Sequence, residues 1–102
     1  MTHLLAPQLL VIEVLSVVRG WSASGQLPAA RAGAAVDRLR ALPITYVDLP
    51  PLASAVWQVR HDVTPYDAAF VVVAAGAAAP LVTVDRRLAR AVGSQVDVIV
   101  VE

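Results

Sequence analysis

The sequence predicts an α/β fold, a three-layer α/β/α sandwich with a parallel sheet at its centre. Three observations support this prediction. Short β-branched segments alternate with longer helical segments along the chain. Each strand is separated from the next by helical sequence, as right-handed parallel crossovers require. The final segment, Val96 to Val101, is apolar at all but one position, which is typical of parallel strands buried on both faces.

Composition limits the classes of protein that the chain can represent. Residues 1–102 are predicted to form a single domain, because 58% of them are hydrophobic and supply ample material for one core. The absence of cysteine excludes disulfides and cysteine zinc sites and fits a cytoplasmic location. The mean hydropathy of +0.68 is high for a small chain, so part of the surface is expected to contact a partner, either a second copy in a homodimer or another protein.

Neither a membrane span nor a secretory signal is expected. The longest nonpolar run, Ala68 to Val82, is shorter than the roughly 20 residues that a spanning helix needs and contains Gly76 and Pro80. The first eight residues, MTHLLAPQ, lack a basic segment followed by an apolar one. Eight acidic and eight basic residues cancel, so the net charge neither favours nor excludes a polyanionic partner such as RNA.

The first part of the chain predicts a strand and two helices. Thr2 to Leu5 is a short strand, and Pro7 then opens a helix from Gln8 to about Arg19. The glycines and serines of residues 20–26 indicate a connection, and Pro28 suits the first turn of the next helix. That helix carries an apolar stripe at helical spacing, formed by Ala32, Val36, Leu39 and Leu42.

A second strand and a third helix follow. Ile44 to Val47 alternates enough to form a strand. Pro50 and Pro51 open a helix in which Trp57 lies beside the apolar stripe and is expected in the core. Residues 60–62 then form a loop, whose histidine is expected on the surface.

A helix is predicted to start at Thr64, where several capping signals coincide. Thr64 can cap the helix, Pro65 suits its first position, and Asp67 can reach back to complete a capping box. The apolar sequence that follows predicts a helix to about Ala78, which ends before Pro80.

A strand and a capped helix complete this central stretch. Leu81 to Val84 is a β-branched run that predicts a strand. Asp85 then caps a helix over residues 86–92, which Gly93 closes. Asp85 therefore lies at the carboxyl end of a strand, the edge where open parallel sheets place their sites, and Asp67 at a helix N-terminus can meet it there. Both aspartates also have a purely structural explanation, because this residue is favoured at helix starts.

Glu13 is the only acid in the apolar segment LLVIEVLSVV. Burying an unpaired charge costs several kcal/mol, so its carboxylate needs a proton, a partner or a metal ion. Ser16 and Arg19 lie three and six residues further along the same helix face and offer a structural alternative, a polar seam.

Three segments together resemble the PIN domain ribonucleases, and most closely the VapC toxins of bacterial toxin–antitoxin pairs. They are LLAPQLLVIEVLSVV, TPYDAAFVVVA and APLVTVDRRLA. The resemblance implies an RNA-cleaving enzyme that is inhibited by a cognate antitoxin and uses Mg²⁺ or Mn²⁺. It also implies that Glu13, Asp67 and Asp85 are the metal ligands and that the Thr83 hydroxyl supports the site.

The chain departs from this family at its start. VapC toxins begin with a strand that ends in D-x-S and carries a further metal ligand, and no such motif precedes Leu4. The predicted fold is therefore PIN-like but N-terminally incomplete. Because that strand lies in the middle of the family's sheet, its loss is expected to leave backbone groups unpaired in the interior.

The residue types fit metal-dependent phosphodiester chemistry. Hard divalent ions prefer carboxylate and water oxygens and can activate water without a side-chain nucleophile. Two carboxylates about 4 Å apart repel by about 4 kcal/mol at an effective dielectric of about 20, and a cation removes this cost. Three arginines after Asp85 are candidates for binding RNA phosphates: Arg86, Arg87 and Arg90.

Three hypotheses for the function remain open on the sequence. The first is a metal-dependent endoribonuclease, the toxin of a toxin–antitoxin pair. The second is a truncated, catalytically impaired PIN module that binds an antitoxin or a sister subunit without cutting RNA. The third is a receiver-like α/β module whose acids bind magnesium for phosphorylation, although the chain contains no lysine for a late strand.

Overall fold

The computed structural model describes residues 4–101, which fold into strands and helices in alternation. The strands are β1 (Leu4–Pro7), β2 (Ile44–Val47), β3 (Leu81–Thr83) and β4 (Val98–Val100). The helices are α1 (Leu9–Ala23), α2 (Ala29–Ala41), α3 (Ala53–Gln58), α4 (Pro65–Gly76) and α5 (Arg86–Val92), and a short 3-10 helix (Pro50–Leu52) precedes α3. Of the first predicted strand, Thr2 and His3 lie outside the described residues.

All strand pairs are parallel, which confirms the predicted class of sheet. β1 pairs with β2 in the register Leu4 to Ile44, and β3 pairs with β4 in the register Leu81 to Val98. The described strands form two separate two-stranded sheets, so the parallel sheet is interrupted, in line with the expectation of unpaired backbone groups in its interior. Local sequence pattern reports that a segment is a strand but not which strand lies beside it.

Helix α4 connects the two sheets, since it packs against both β1 and β3. It buries Ala68, Ala69, Val71, Val73 and Ala74. A core cluster then joins α4 to the second sheet and to α5: Val71, Ala74, Leu81, Val92 and Val96. None of the described helices is long and apolar enough to cross a membrane.

An apolar space of about 430 Å³, here called the central cleft, lies between β1 and β3 under α4. Its lining includes Leu5, Pro7, Phe70, Leu81 and Val82. No described residue of β2 contributes to this lining, so the cleft borders β1 on the side away from its partner strand.

The hydrogen bonds of the two sheets show which backbone groups face away from their partner strands. Gln8 N–H donates to the Val47 carbonyl at 3.1 Å, and Leu81 N–H donates to the Asp97 carbonyl at 2.8 Å. Successive residues of a strand direct their backbone groups to opposite sides. Leu5 and Val82 therefore point their N–H and C=O groups away from β2 and β4, toward the unpaired edges.

Helix α1 is longer than predicted. Residues 20–23, which were expected in the connection at residues 20–26, form its last turn. Gly20 remains helical, and its carbonyl accepts a hydrogen bond from Ser24 N–H at 3.1 Å. The helix is followed instead by Gly25, whose φ of +81° suits a residue without Cβ. A glycine inside a helix costs only about 1 kcal/mol, which the packing of α1 against α2 offsets.

The exposure of Trp57 also corrects a prediction. Trp57 was expected in the core but is 65% exposed. It lies next to the end of α3 at Gln58, and its indole lies outside the stripe that packs on α4. The strand over Ile44–Val47 and the helix start at Pro65 are confirmed. The last strand is shorter than predicted and covers Val98–Val100.

Helix α4 ends in a Schellman motif with an unusual residue at its turning point. Ala79 N–H donates to the Ala74 carbonyl at 3.0 Å, and Ala78 N–H donates to the Ala75 carbonyl at 3.2 Å. Ala78 has a φ of 51°, a left-handed conformation in which glycine is the usual residue. The chain therefore holds a strained alanine at the turn between α4 and β3.

Ala78→Gly is expected to stabilise the fold by about 0.5 to 1 kcal/mol, because relief of the left-handed alanine exceeds the added entropy of an unfolded glycine. Thermal melts should show a rise of about 2 to 8 °C. Ala34→Gly at an exposed position of α2 is the matched control and should lower stability, since its backbone is helical. Equal losses in both variants would contradict the assignment of strain to Ala78.

The amides of Val82 and Leu5 are expected to exchange their hydrogens faster than those of Leu81 and Gln8. The first pair points to unpaired sheet edges, whereas the second pair donates to carbonyls of the partner strands. Residue-resolved hydrogen exchange by NMR measures the difference. If Val82 is as protected as Leu81, some other group pairs with this edge in solution.

Candidate active site

Asp67 is positioned by the N-terminus of α4. Thr64 caps this helix in an extended conformation, and its Oγ1 accepts a hydrogen bond from the Asp67 N–H at 3.3 Å. The described hydrogen bonds do not include one from the Thr64 N–H to the Asp67 carboxylate. Only the threonine half of the predicted capping box therefore forms. The partly buried carboxylate of Asp67 is thus not used in closing the cap.

Asp85 is positioned by the end of β3 and the start of α5. Its Oδ1 accepts hydrogen bonds from the N–H groups of Arg87 at 2.9 Å and Leu88 at 3.1 Å, which confirms the predicted cap. The Asp85 N–H donates in turn to Thr83 Oγ1 at 3.0 Å. Both capping bonds end on Oδ1, so the cap itself makes no use of Oδ2.

The two aspartates line one surface cavity of about 310 Å³, here called the acid cavity. Asp62 and Arg87 line it as well. Asp62 was not among the acids that the sequence singled out, although its place in the loop two residues before Thr64 put it near the start of α4. Strand and helix periodicity carry no signal for the path of such a loop.

Glu13 lies in α1 and is partly buried. Burial raises the pKa of its carboxyl group above the ordinary value of 4.5, and the negative charge of Asp67 raises this pKa further. The electrostatic effect places Glu13 near Asp67, although Glu13 does not line the acid cavity. Among residues 4–101 no hydrogen bond or ion pair joins Glu13 to Ser16 or Arg19, so the alternative polar seam is not formed.

The three candidate acids form two pairs, and Asp67 belongs to both pairs. Asp67 shares the acid cavity with Asp85, and its charge acts on Glu13. In the part of the chain that the structure describes, no three His, Cys, Asp or Glu side chains come close enough together to hold a metal ion. The donor set nevertheless fits a hard cation, because it consists of carboxylates, and the charge of Asp67, which raises the pKa of Glu13, is one that a bound positive charge would offset.

The candidate phosphate-binding arginines differ in position. Arg87 lines the acid cavity, whereas Arg86 and Arg90 are exposed on α5 outside its lining. Of the three, Arg87 is therefore the one whose location suits contact with a ligand in the cavity. His61 is exposed, as expected.

Comparison with known proteins identifies the family. The sequence model of the PIN domain matches residues 2–93, which include Glu13, Asp67 and Asp85. The chain belongs to the PIN domain family. This assignment confirms the resemblance and the α/β fold class, and it replaces the receiver-like alternative.

Two relatives within this family come from Mycobacterium tuberculosis (strain ATCC 25618 / H37Rv). The chain is 42% identical to ribonuclease VapC1 over 89 residues, which cover 86% of the chain and 67% of the relative. It is 37% identical to ribonuclease VapC3 over 90 residues, which cover 88% of the chain and 66% of the relative. The PIN domain chain thus spans about two thirds of the length of each relative.

Glu13→Gln is expected to raise the melting temperature at neutral pH in the absence of divalent cations. The folded chain holds the Glu13 proton more tightly than the unfolded chain does, whose pKa is near 4.5. The stability that Glu13 contributes is therefore fully present below that pH and is lost as pH rises through its raised pKa. Thermal melts of parent and variant, compared at acid and neutral pH, measure the effect.

The control for this experiment is Asp37→Asn, which removes an acid at an exposed position of α2. Parent and Glu13→Gln should differ little in acid and diverge toward neutral pH, whereas the control should follow the parent at both. A Glu13→Gln variant that is less stable at neutral pH would mean that the ionised carboxylate has a favourable partner.

Proposed function

We propose that the chain is a divalent-metal-dependent endoribonuclease, the toxin component of a toxin–antitoxin pair, in which Glu13, Asp67 and Asp85 hold Mg²⁺ or Mn²⁺. The observation that carries this proposal is the convergence of Asp67 and Asp85 on one cavity beyond the carboxyl end of β3. The names of the relatives VapC1 and VapC3, both ribonucleases, support the substrate class.

The residues of the proposed site have different roles. When bound, a divalent cation supplies Lewis-acid activation of water and neutralises charge on the phosphodiester. The Thr83 hydroxyl and the cap of α5 orient Asp85, and Thr64 orients the first turn that carries Asp67. Arg87 is placed to contact an RNA phosphate at the cavity, while Arg86 and Arg90 can bind the strand further along α5.

Protein partners form part of the same proposal. Helix α1 exposes three large apolar side chains: Val17 and Trp21 lie one turn apart on one side of the helix, and Ile12 lies on another side. We assign such surface to a cognate antitoxin or to a second copy of the chain in a homodimer. A cytoplasmic location, where RNA and antitoxin are both available, completes the proposal.

The alternative function is that of a catalytically impaired PIN module that binds an antitoxin or a sister subunit without cutting RNA. The central cleft favours it, because apolar side chains and the unpaired edges of β1 and β3 meet there. In this interpretation residues 1–102 form a single PIN-like domain whose described strands leave two edges open to a partner. The acids would then bind a cation weakly, since no three of them gather in the described residues.

Added Mn²⁺ is expected to raise the melting temperature of the parent and not that of an Asp67→Asn, Asp85→Asn double variant. A cation that binds only the folded state stabilises it by about 2.7 kcal/mol at a hundredfold excess over its Kd. Asparagine retains a side-chain oxygen that can cap α5, so the variant loses charge rather than the helix start. Differential scanning fluorimetry with and without Mn²⁺ measures the shift.

An Asp37→Asn, Asp48→Asn variant is the matched control, because it removes the same charge from exposed positions outside the acid cavity. It should respond to Mn²⁺ as the parent does. Cleavage of single-stranded RNA, followed on gels, then separates the two functions. A metal-dependent shift with cleavage supports the nuclease, a shift without cleavage supports the binding module, and an unshifted parent contradicts the metal site.

A further inference from the structure

Trp57 and Arg60 form a feature that the proposed nuclease site does not use. Trp57 lies in the last turn of α3 and is 65% exposed. The guanidinium carbon of Arg60 lies 4.5 Å from the centre of the indole ring. A large part of the indole therefore remains accessible even with a cation already over it.

The pair is held by the backbone as well as by the cation–π contact. Arg60 Nη1 donates to the Trp57 carbonyl at 2.9 Å, and the Arg60 N–H donates to the same oxygen at 3.2 Å. The turn continues with a bond of 3.0 Å from the Asp62 N–H to the Val59 carbonyl. Because these bonds restrict Arg60 and the turn around it, little conformational freedom remains to be lost when a ligand stacks on the pair.

The pair is close to the acid cavity. Asp62, which lines the cavity, follows Arg60 by two residues. Consecutive Cα atoms are about 3.8 Å apart, so the Cα atoms of Arg60 and Asp62 are separated by no more than about 7.6 Å. One extended nucleic-acid strand can therefore contact the pair and the cavity at the same time.

We propose that Trp57 and Arg60 form a stacking platform that binds an unpaired base of single-stranded RNA beside the acid cavity. Aromatic rings and guanidinium groups stack on any base, and the cation also attracts the RNA backbone. The platform rests on the proposed function for the identity of its ligand as RNA. It selects single-stranded over duplex RNA, because paired bases are not available for stacking.

The test measures RNA binding without catalysis. A short fluorescein-labelled single-stranded RNA of mixed sequence is titrated with protein in EDTA, and anisotropy gives the affinity. Trp57→Ala should weaken binding about 5- to 150-fold, the range for loss of one stacked base. Trp57→Phe should recover most of it. Arg60→Ala should weaken binding and lower the slope of log affinity against log salt by about 0.7.

Leu42→Ala is the control, since Leu42 is also an exposed apolar side chain but lies at the end of α2, outside the acid cavity and outside the apolar surface of α1. It should leave RNA affinity unchanged. A second readout uses Trp21→Phe, which makes Trp57 the only tryptophan of the chain. Single-stranded RNA should then quench Trp57 emission through stacking, and the corresponding duplex should not.

The outcomes separate the platform from the nuclease proposal. If Trp57→Ala loses RNA affinity while the parent cleaves no RNA with Mn²⁺, the platform stands and the nuclease proposal fails. If the parent cleaves RNA but Trp57→Ala binds and cleaves equally well, the platform is overturned. A parent that neither binds RNA nor shows quenching also overturns it. So does a Trp57→Ala variant that changes only self-association, which would assign the surface to a protein contact.

Discussion

The packing of α4 against both two-stranded sheets is the interaction on which the rest of the structure depends. The two sheets share no backbone hydrogen bond in the described chain, so their relative position is set by the helix that touches both. Val71 and Ala74 of this helix are buried in one core cluster with Leu81 of β3. A substitution that shifted α4 against the strands would move Asp67, at the start of the helix, with it.

The site uses backbone groups at the ends of elements to hold its acids in place. Asp67 lies in the first turn of α4 and Asp85 at the cap of α5, where helix N-termini favour negative charge. This local stabilisation offsets part of the repulsion between neighbouring carboxylates. Glu13 lies within α1 rather than at a helix start, and burial and the charge of Asp67 raise its pKa. Glu13 is thus the candidate acid whose ionised form the fold favours least.

The predictability of each feature follows the range of the interaction that determines it. The start of α4 at Pro65 and the cap at Asp85 were predicted correctly, because both depend on residues within one helical turn. The interruption of the sheet was expected only from the family resemblance, since strand partners are chosen by tertiary packing that local sequence pattern does not report. For the same reason Asp62 was not predicted to line the acid cavity. The exposure of Trp57 was missed because a stripe on a short helix does not show where that helix ends.

The central cleft and the candidate site are mechanically linked. β1 leads directly into α1, which carries Glu13, and β3 leads into Asp85. Helix α4 sets the relative position of these strands, and side-chain packing across the cleft adds to it in positioning Glu13 relative to Asp85. Two-stranded sheets are marginally stable by themselves, so packing across the cleft supports both halves of the fold. The geometry of the acids therefore depends on how firmly the cleft is closed, and pairing of the open strand edges would stabilise the fold and order the site together.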